Sequence, residues 1–217
     1  MLLFGLPVLL PLILAGCLLV PARALETNVR WPDTPAARRT AQDLVEELNR
    51  ELLARPSATA TLEKWCADRG IATPARVVAA RVRDQEGMAP ADVRALLNAG
   101  PDTPVRHRRV RLACGPVILS EADNFYLPEK LTPEMNAELD GTDTPFGKVV
   151  RPLDFRRRTL DAQLLWRPAE ASGDGAALPL PAFVLTHRAV LTLPDGTPFS
   201  ALIERYTSGI LAAPPAR

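Results

Sequence analysis

This sequence has almost no excess of basic over acidic residues, and it contains few histidine and aromatic side chains. Its 217 residues contain 26 Lys and Arg against 25 Asp and Glu, only two His, and 5% aromatic residues. A chain without a basic excess lacks the electrostatic signature that nucleic-acid binding usually shows. None of the Cys and His spacings resembles a zinc site. We therefore expect no nucleic-acid partner and no metal site.

Charged residues are also missing from residues 1–20, which are almost wholly apolar. The run is long enough to span a membrane, but Pro7 and Pro11 disfavour a stable membrane helix. It is followed by Ala22-Arg23-Ala24, a small-x-small pattern that signal peptidases cleave. We therefore expect residues 1–24 to be a signal peptide, and the protein to be periplasmic or secreted.

Two alternatives to a cleaved signal peptide remain open at this segment. No Lys or Arg precedes the apolar run, so the usual basic start is missing, and an uncleaved membrane anchor would also fit the run. Leu14-Ala15-Gly16-Cys17 resembles a lipoprotein cleavage box, which would make the protein a membrane-anchored lipoprotein with Cys17 as the lipidated residue. Otherwise we expect membrane contact only through the signal segment.

Cysteine is limited to three residues, and removal of the signal peptide leaves Cys66 and Cys114. In an oxidising compartment, an even pair of cysteines is able to form a disulfide. Two buried free thiols are the alternative. Both interpretations stay open on the sequence alone.

Helical signals dominate the first part of the chain and alternating, strand-like patterns the second. This order is typical of an α+β fold with an antiparallel sheet. Caps, prolines and glycines predict helices between Pro35 and Pro56, Ser57 and Gly70, Pro90 and Asn98, and Leu131 and Gly141. Alternation predicts strands over 75–83, 105–114, 117–127, 154–166, 182–193 and 198–209. Residues 168–181 are rich in Gly, Ala and Pro and predict a loop long enough to be a flap.

Several polar side chains fall on the apolar side of their predicted strands. Because side chains alternate across a strand, Arg108 shares a side with Val110 and Leu112. By the same rule, Glu204 shares a side with Leu202 and Tyr206. We therefore predict that one guanidinium group and one carboxylate enter the interior.

A buried charge is costly unless it is paired or hydrogen-bonded. One interpretation is a pocket in which Arg108 fixes a substrate carboxylate and Glu204 transfers a proton, with a pKa raised toward neutrality by burial. The alternative is that the two residues pair with each other or lie at frayed strand ends in solvent. Alternation also turns His187, Arg156 and Arg158 inward; for these we favour a satisfied core histidine and arginines that extend to the surface.

The order of motifs resembles the chorismate lyase family over about residues 57–210. Four segments carry this resemblance: Ser57-Ala58-Thr59 before a helix, Arg108-Arg109-Val110-Arg111-Leu112, Thr144-Pro145-Phe146-Gly147, and Gly196-Thr197-Pro198 leading to Glu204. Several features depart from the family pattern, among them Phe125 and Tyr126, which replace smaller residues in the second strand. Glu204 comes one residue late after its proline, which requires a bulge, and residues 31–56 have no clear counterpart.

The resemblance implies a fold, a reaction and roles for four residues. Chorismate lyases have an antiparallel sheet with helices packed on one side, and they cleave chorismate to 4-hydroxybenzoate and pyruvate without a cofactor. By this resemblance Arg108 binds a substrate carboxylate, the backbone N–H of Phe146 beside Gly147 binds another, and Glu204 is the catalytic acid or base. Ligand-binding domains of some bacterial transcription regulators share the fold and perform no chemistry.

Three hypotheses for the function follow. The first is an exported lyase acting on chorismate or a related enolpyruvyl or aromatic acid, although chorismate is a cytoplasmic metabolite. The second is a non-catalytic periplasmic protein that binds a small aromatic carboxylate, and the third is a structural protein with a filled pocket. In each case we expect a signal peptide (1–24), an N-terminal helical arm (25–56) and a chorismate lyase-like domain (57–217).

Overall fold

The structure is a computed structural model that describes residues 30–170, 175 and 177–212. The expected signal peptide with Cys17 and the first five residues of the arm lie outside the described residues. So do residues 171–174 and 176 of the predicted flap, and residues 213–217.

Six antiparallel strands form one open sheet in the order β1-β2-β3-β6-β5-β4. The strands are β1 (Val77–Arg81), β2 (Arg106–Cys114), β3 (Val117–Tyr126), β4 (Arg156–Leu164), β5 (Phe183–Thr192) and β6 (Pro198–Thr207). The Asp-Gly pair between β5 and β6 forms the predicted hairpin, in which Gly196 has a positive φ of 88°. The predicted α+β fold with an antiparallel sheet is confirmed.

Five helices accompany the sheet in the described part of the chain. They are α1 (Pro35–Ala54), α2 (Ala58–Asp68), α3 (Ala91–Leu96), α4 (Pro133–Gly141) and α5 (Phe146–Val149). The side chains of Thr34 and Ser57 cap α1 and α2, as their sequences predict. The short α5 begins within the Thr144-Pro145-Phe146-Gly147 motif, where the sequence predicts no helix.

The main core lies between one face of the sheet, here called the inner face, and the helices α1, α2, α4 and α5. Helix α1 contributes Ala41, Val45, Leu48 and Leu52 to this core, and α2 contributes Leu62 and Trp65. The short α3 is different, because Val93 and Leu97 pack on Phe125 and Ala201 at one end of the opposite, outer face.

The sheet contains four register shifts, and two of them determine which side chains of β4 and β6 reach the inner face. In β6, Leu191 pairs with Ser200 but Thr192 pairs with Pro198, so Phe199 is an extra residue. This is the bulge that the late position of Glu204 requires. In β4, Thr159 pairs with Ala189 but Asp161 pairs with Arg188, so Leu160 is an extra residue.

The bulge at Leu160 corrects the predicted orientation of the β4 arginines. Alternation counted back from Leu164 turns Arg156 and Arg158 inward, and this is wrong, because both are exposed. The extra residue inverts the parity, so that Arg157 lies on the inner face opposite Leu191.

A disulfide joins the α2 residue Cys66 to the β2 residue Cys114, at a sequence separation of 48. Both cysteines are fully buried. The bridge ties α2 to the inner face of the sheet, and the alternative of two free thiols does not hold in this structure.

Candidate functional site

A narrow cavity of about 30 Å³ lies between the inner face of the sheet and the starts of α2 and α5. Five strands and two helix starts line it, so no single element forms the site. The polar or close-approach residues in its wall are Ser57, Thr59, Asn124, Gly147, Arg157 and Glu204. The cavity is large enough for one or two water molecules, and far below the 300 Å³ or so of an ordinary ligand pocket.

Glu204 and Arg157 form a buried bidentate ion pair in the wall of this cavity. Arg157 Nη2 donates to Glu204 Oε2 at 2.6 Å and Nη1 donates to Oε1 at 3.1 Å. The side chain of Arg157 is only 4% exposed and that of Glu204 only 7% exposed. The Tyr206 hydroxyl also donates to Glu204 Oε2, at 3.1 Å. Both carboxylate oxygens therefore have donors.

The pair holds Glu204 in its charged form. Burial favours the neutral acid, but the charge and hydrogen bonds of Arg157 outweigh burial and lower the pKa of Glu204 below its ordinary value. Burial also disfavours charge on Arg157, and the Glu204 carboxylate more than offsets this and raises the pKa of Arg157. The prediction that burial raises the pKa of Glu204 toward neutrality is therefore wrong.

Arg108 is fully buried, one inner-face position beyond the cavity residue Val110. Its Nε donates to the Leu139 carbonyl at 3.1 Å, and its Nη2 donates to the carbonyls of Thr142 and Thr144 at 3.2 Å each. It therefore neither pairs with Glu204 nor lies at a frayed end. It holds the segment that connects α4 to α5, and burial lowers the pKa of its guanidinium.

Two guanidinium N–H groups near the cavity have no hydrogen-bond acceptor among the described residues. These are Nη1 of Arg108 and Nε of Arg157, and both atoms are buried. A buried donor without an acceptor costs about 1–3 kcal/mol, and more when it is charged. Glu204 pairs with Arg157, whereas Arg108 forms no ion pair with a described residue and donates only to carbonyl groups.

Phe146 and Gly147 lie in the cavity wall at the start of α5. A Cβ built on Gly147 would lie 3.5 Å from Ser57 Oγ and 3.6 Å from Thr59 Oγ1, so α5 and the start of α2 approach each other closely there. N–H groups in the first turn of a helix have no acceptor within the helix. The role of the Phe146 N–H in carboxylate binding stays a prediction.

His187 lies beside Glu204 as its cross-strand partner on β5. Its Nε2 lies 2.8 Å from Asn49 Oδ1, which ties α1 to the sheet. Burial lowers the pKa of the imidazole, so we treat it as neutral. The expected core histidine is thus present, but only half satisfied, because Nδ1 is buried without a partner among the described residues.

Arg157, Asn124 and Thr59 are the cavity residues that sequence reasoning missed as site residues. The run Arg156-Arg157-Arg158 was a usable signal. A strand with one face in the core turns at least one of three consecutive side chains toward that core. Strict alternation selects the wrong members, because nothing in the sequence marks Leu160 as a bulge.

In the part of the chain that the structure describes, no group of three or more His, Cys, Asp or Glu residues could hold a metal ion. Within the same residues, no helix is both long and apolar enough to cross a membrane.

The fold and the site together define a class: an α+β domain with an open antiparallel sheet and a buried, cation-rich cavity. The chain belongs to the same family as the uncharacterized protein y4mC of Sinorhizobium fredii. The two sequences are 45% identical over 203 residues, which cover 89% of this chain and 86% of y4mC. No family model matches the sequence.

Solved structures similar to this chain include bacterial regulators. The possible transcriptional regulator YydK from Bacillus subtilis has a TM-score of 0.41 and 16% identity over 65% of this chain. PhnF from Mycobacterium smegmatis has a TM-score of 0.44 and 15% identity over 70% of this chain. The chain spans 62% of YydK and 64% of PhnF, less than two thirds of either. The effector domain of PhnF, of which 88% is covered, has a TM-score of 0.43 and 16% identity over 70% of this chain.

Proposed function

We propose that this protein binds a small carboxylate, with the acid group held in the cavity by Arg157 and Arg108. The observation that carries the proposal is the pair of buried guanidinium N–H groups without acceptors, Nε of Arg157 and Nη1 of Arg108. A carboxylate supplies acceptors for both donors, and hydrogen bonds between charged partners are about twice as strong as neutral ones.

Charge balance favours a monoanionic head group at this position. Glu204 neutralises Arg157, whereas the guanidinium of Arg108, next to the cavity, forms no ion pair with a described residue. An uncompensated charge in the interior is costly, so an anion that enters the cavity gains more than a neutral ligand of the same size. Thr59 and Asn124 add polar atoms to the wall. Small aromatic and enolpyruvyl acids both carry such a head group.

A lyase reaction at the same cavity is the second candidate, because Glu204, the residue to which the family resemblance assigns catalysis, lines the cavity. Its chemistry there is restricted, however. A carboxylate with a lowered pKa and donors on both oxygens is a poor general acid at neutral pH and a weakened base. Binding without turnover is therefore the better-supported function.

The substitution Glu204→Gln separates the two candidates. It removes the negative charge next to Arg157 and frees that guanidinium for a ligand. We expect carboxylate affinity to rise about tenfold, as one nearby charge is worth more than 1.4 kcal/mol at an effective dielectric constant of about 20. The measurement is thermal stabilisation and calorimetric titration with formate, acetate, pyruvate and benzoate. For a lyase, Glu204→Gln would instead abolish the release of 4-hydroxybenzoate from chorismate.

Glu121→Gln is the matched control, because Glu121 is also paired with arginines but lies on the outer face. It should leave affinity unchanged. If none of the four carboxylates stabilises either wild type or Glu204→Gln, the binding proposal is wrong and the cavity holds water. If wild type forms 4-hydroxybenzoate from chorismate and Glu204→Gln does not, the lyase replaces it.

We further propose that the protein is exported to the periplasm or beyond the cell. The apolar run and the Ala22-Arg23-Ala24 motif support cleavage after residue 24. The pairing of Cys66 with Cys114 is consistent with an oxidising compartment, since stable disulfides are rare in the cytosol. Lipidation at Cys17 is the alternative form of export.

Intact mass spectrometry under non-reducing conditions tests export and the disulfide together. Protein isolated from its native cells should have lost residues 1–24 and be two hydrogens lighter than the mass calculated for two thiols. A lipid-modified chain that begins at Cys17 would establish the lipoprotein alternative. An uncleaved chain with both thiols free would contradict export.

A further inference from the structure

A second, larger cleft of about 480 Å³ adjoins the small cavity at the surface. It lies between the end of α1 and the start of β4. Pro56, Phe155 and Arg157 line both the cleft and the cavity. These three residues are therefore the wall between a buried site and an open one.

The charged residues of this cleft are all arginines: Arg55, Arg156 and Arg157. Arg157 is paired with Glu204, whereas Arg55 and Arg156 are exposed and form no ion pair with another described residue. No acidic residue lines the cleft. Its electrostatic preference is therefore for an anion.

The same cleft offers apolar contact surface. Leu53 is 49% exposed and is one of four exposed large hydrophobic residues in the described part of the chain. Pro56 and Phe155 continue this surface up to the wall of the cavity. An apolar surface flanked by cations suits the body of an amphipathic acid better than it suits a free inorganic ion.

We propose that the cleft is an outer subsite and that the ligand is an elongated dianion. This inference rests on the proposed function. One carboxylate lies in the small cavity, the apolar body passes between Pro56 and Phe155, and a second carboxylate binds Arg55 and Arg156. Volume supports the division, because a cavity of about 30 Å³ holds a head group but not the body of an aromatic or aliphatic acid.

A length series of probes tests the outer subsite. Linear α,ω-dicarboxylates of four to ten carbons are titrated into the mature protein by calorimetry, beside monocarboxylates of equal length. We expect one dicarboxylate length to bind about tenfold more tightly than the monocarboxylate of that length, because only that length reaches both subsites. Arg156→Gln and Arg55→Gln should each reduce this advantage about three- to tenfold and leave monocarboxylate affinity unchanged.

Arg158→Gln is the matched control, since Arg158 is exposed on the same strand but does not line the cleft. It should retain the full advantage of the dicarboxylate. Monocarboxylate binding without any dicarboxylate advantage, or an advantage that survives Arg156→Gln and Arg55→Gln together, overturns the outer subsite and leaves the proposed function intact. If neither class of probe binds, both proposals fail.

Discussion

The two faces of the central strands carry similar ion pairs in different surroundings. On the outer face, Asp123 accepts two hydrogen bonds from Arg109 at 2.9 Å and one from Arg205 at 2.8 Å. On the inner face, Glu204 accepts two from Arg157 at 2.6 and 3.1 Å. Arginine exceeds acid on both faces, so the number of charges does not distinguish them.

Access to water distinguishes the two faces. Arg205 is 32% exposed and Arg109 is 16% exposed, whereas Arg157 is 4% exposed. Water screens and solvates the excess charge on the outer face, so that face needs no ligand. On the inner face the fold shields the arginines from bulk water, and Arg108 forms no ion pair with a described residue. A surplus of arginine thus indicates a binding site only where the surrounding fold excludes solvent.

The largest expected effect comes from breaking one pair on each face. Arg157→Gln leaves Glu204 buried without its cation, and we expect the free energy of unfolding to fall by about 3 to 5 kcal/mol. Arg109→Gln removes a pair that water partly screens, and we expect a loss of about 1 kcal/mol. Urea unfolding followed by circular dichroism measures both.

A double variant checks that the loss comes from the unpaired charge. Arg157→Leu combined with Glu204→Leu removes both charges, and it should recover most of the stability that Arg157→Gln loses, because apolar replacement of a buried pair is often close to neutral. Equal losses for Arg157→Gln and Arg109→Gln would show that burial does not distinguish the ion pairs of the two faces.

Much of the outer framework was predictable from the sequence. The Thr34 and Ser57 caps, the Asp-Gly hairpin and the alternation of β2 are local signals, and each is confirmed. In β5 and β6 the predicted alternation holds only away from their bulges. Alternation also places Arg108 and Glu204 on the inner face. At these positions, the alternation of side chains along a strand and a few turn residues are enough to predict which face a residue occupies.

The partners of the buried charges were not predictable, because they depend on contacts between distant segments. The pair of Arg157 with Glu204 requires the bulge at Leu160, which appears only when β4 is aligned with β5. The carbonyl groups that bind Arg108 belong to a segment 31 to 36 positions away. If the partner Arg157 is not known, only burial determines the expected pKa of Glu204. Burial alone predicts a raised pKa, whereas the pKa is lowered in the structure.

A smaller effect sharpens the contrast at His187, which shares the inner face with the ion pair. Glu204, Arg157 and Asp161 are the charged groups that act on it, and Asn49 accepts from its Nε2. Burial lowers the pKa of His187 in the folded protein, so the unfolded chain takes up the proton more readily. The contribution of His187 to the free energy of unfolding is therefore fully present above the ordinary histidine pKa of about 6.5, and it decreases as the pH falls below that value.

The substitution His187→Gln removes this titration while keeping a donor for Asn49. We expect the stability of wild type relative to His187→Gln to fall on the order of 1 kcal/mol between pH 8 and pH 5, the scale of typical pKa perturbations. Urea unfolding at half-unit pH steps measures the difference, and the value at pH 8 shows what the substitution costs apart from protonation. Because the acidic groups titrate in both proteins, they cancel in this comparison. A difference that stays constant from pH 8 to pH 5 would mean that water reaches the imidazole, and that the inner face is less closed to solvent than the proposed carboxylate site requires.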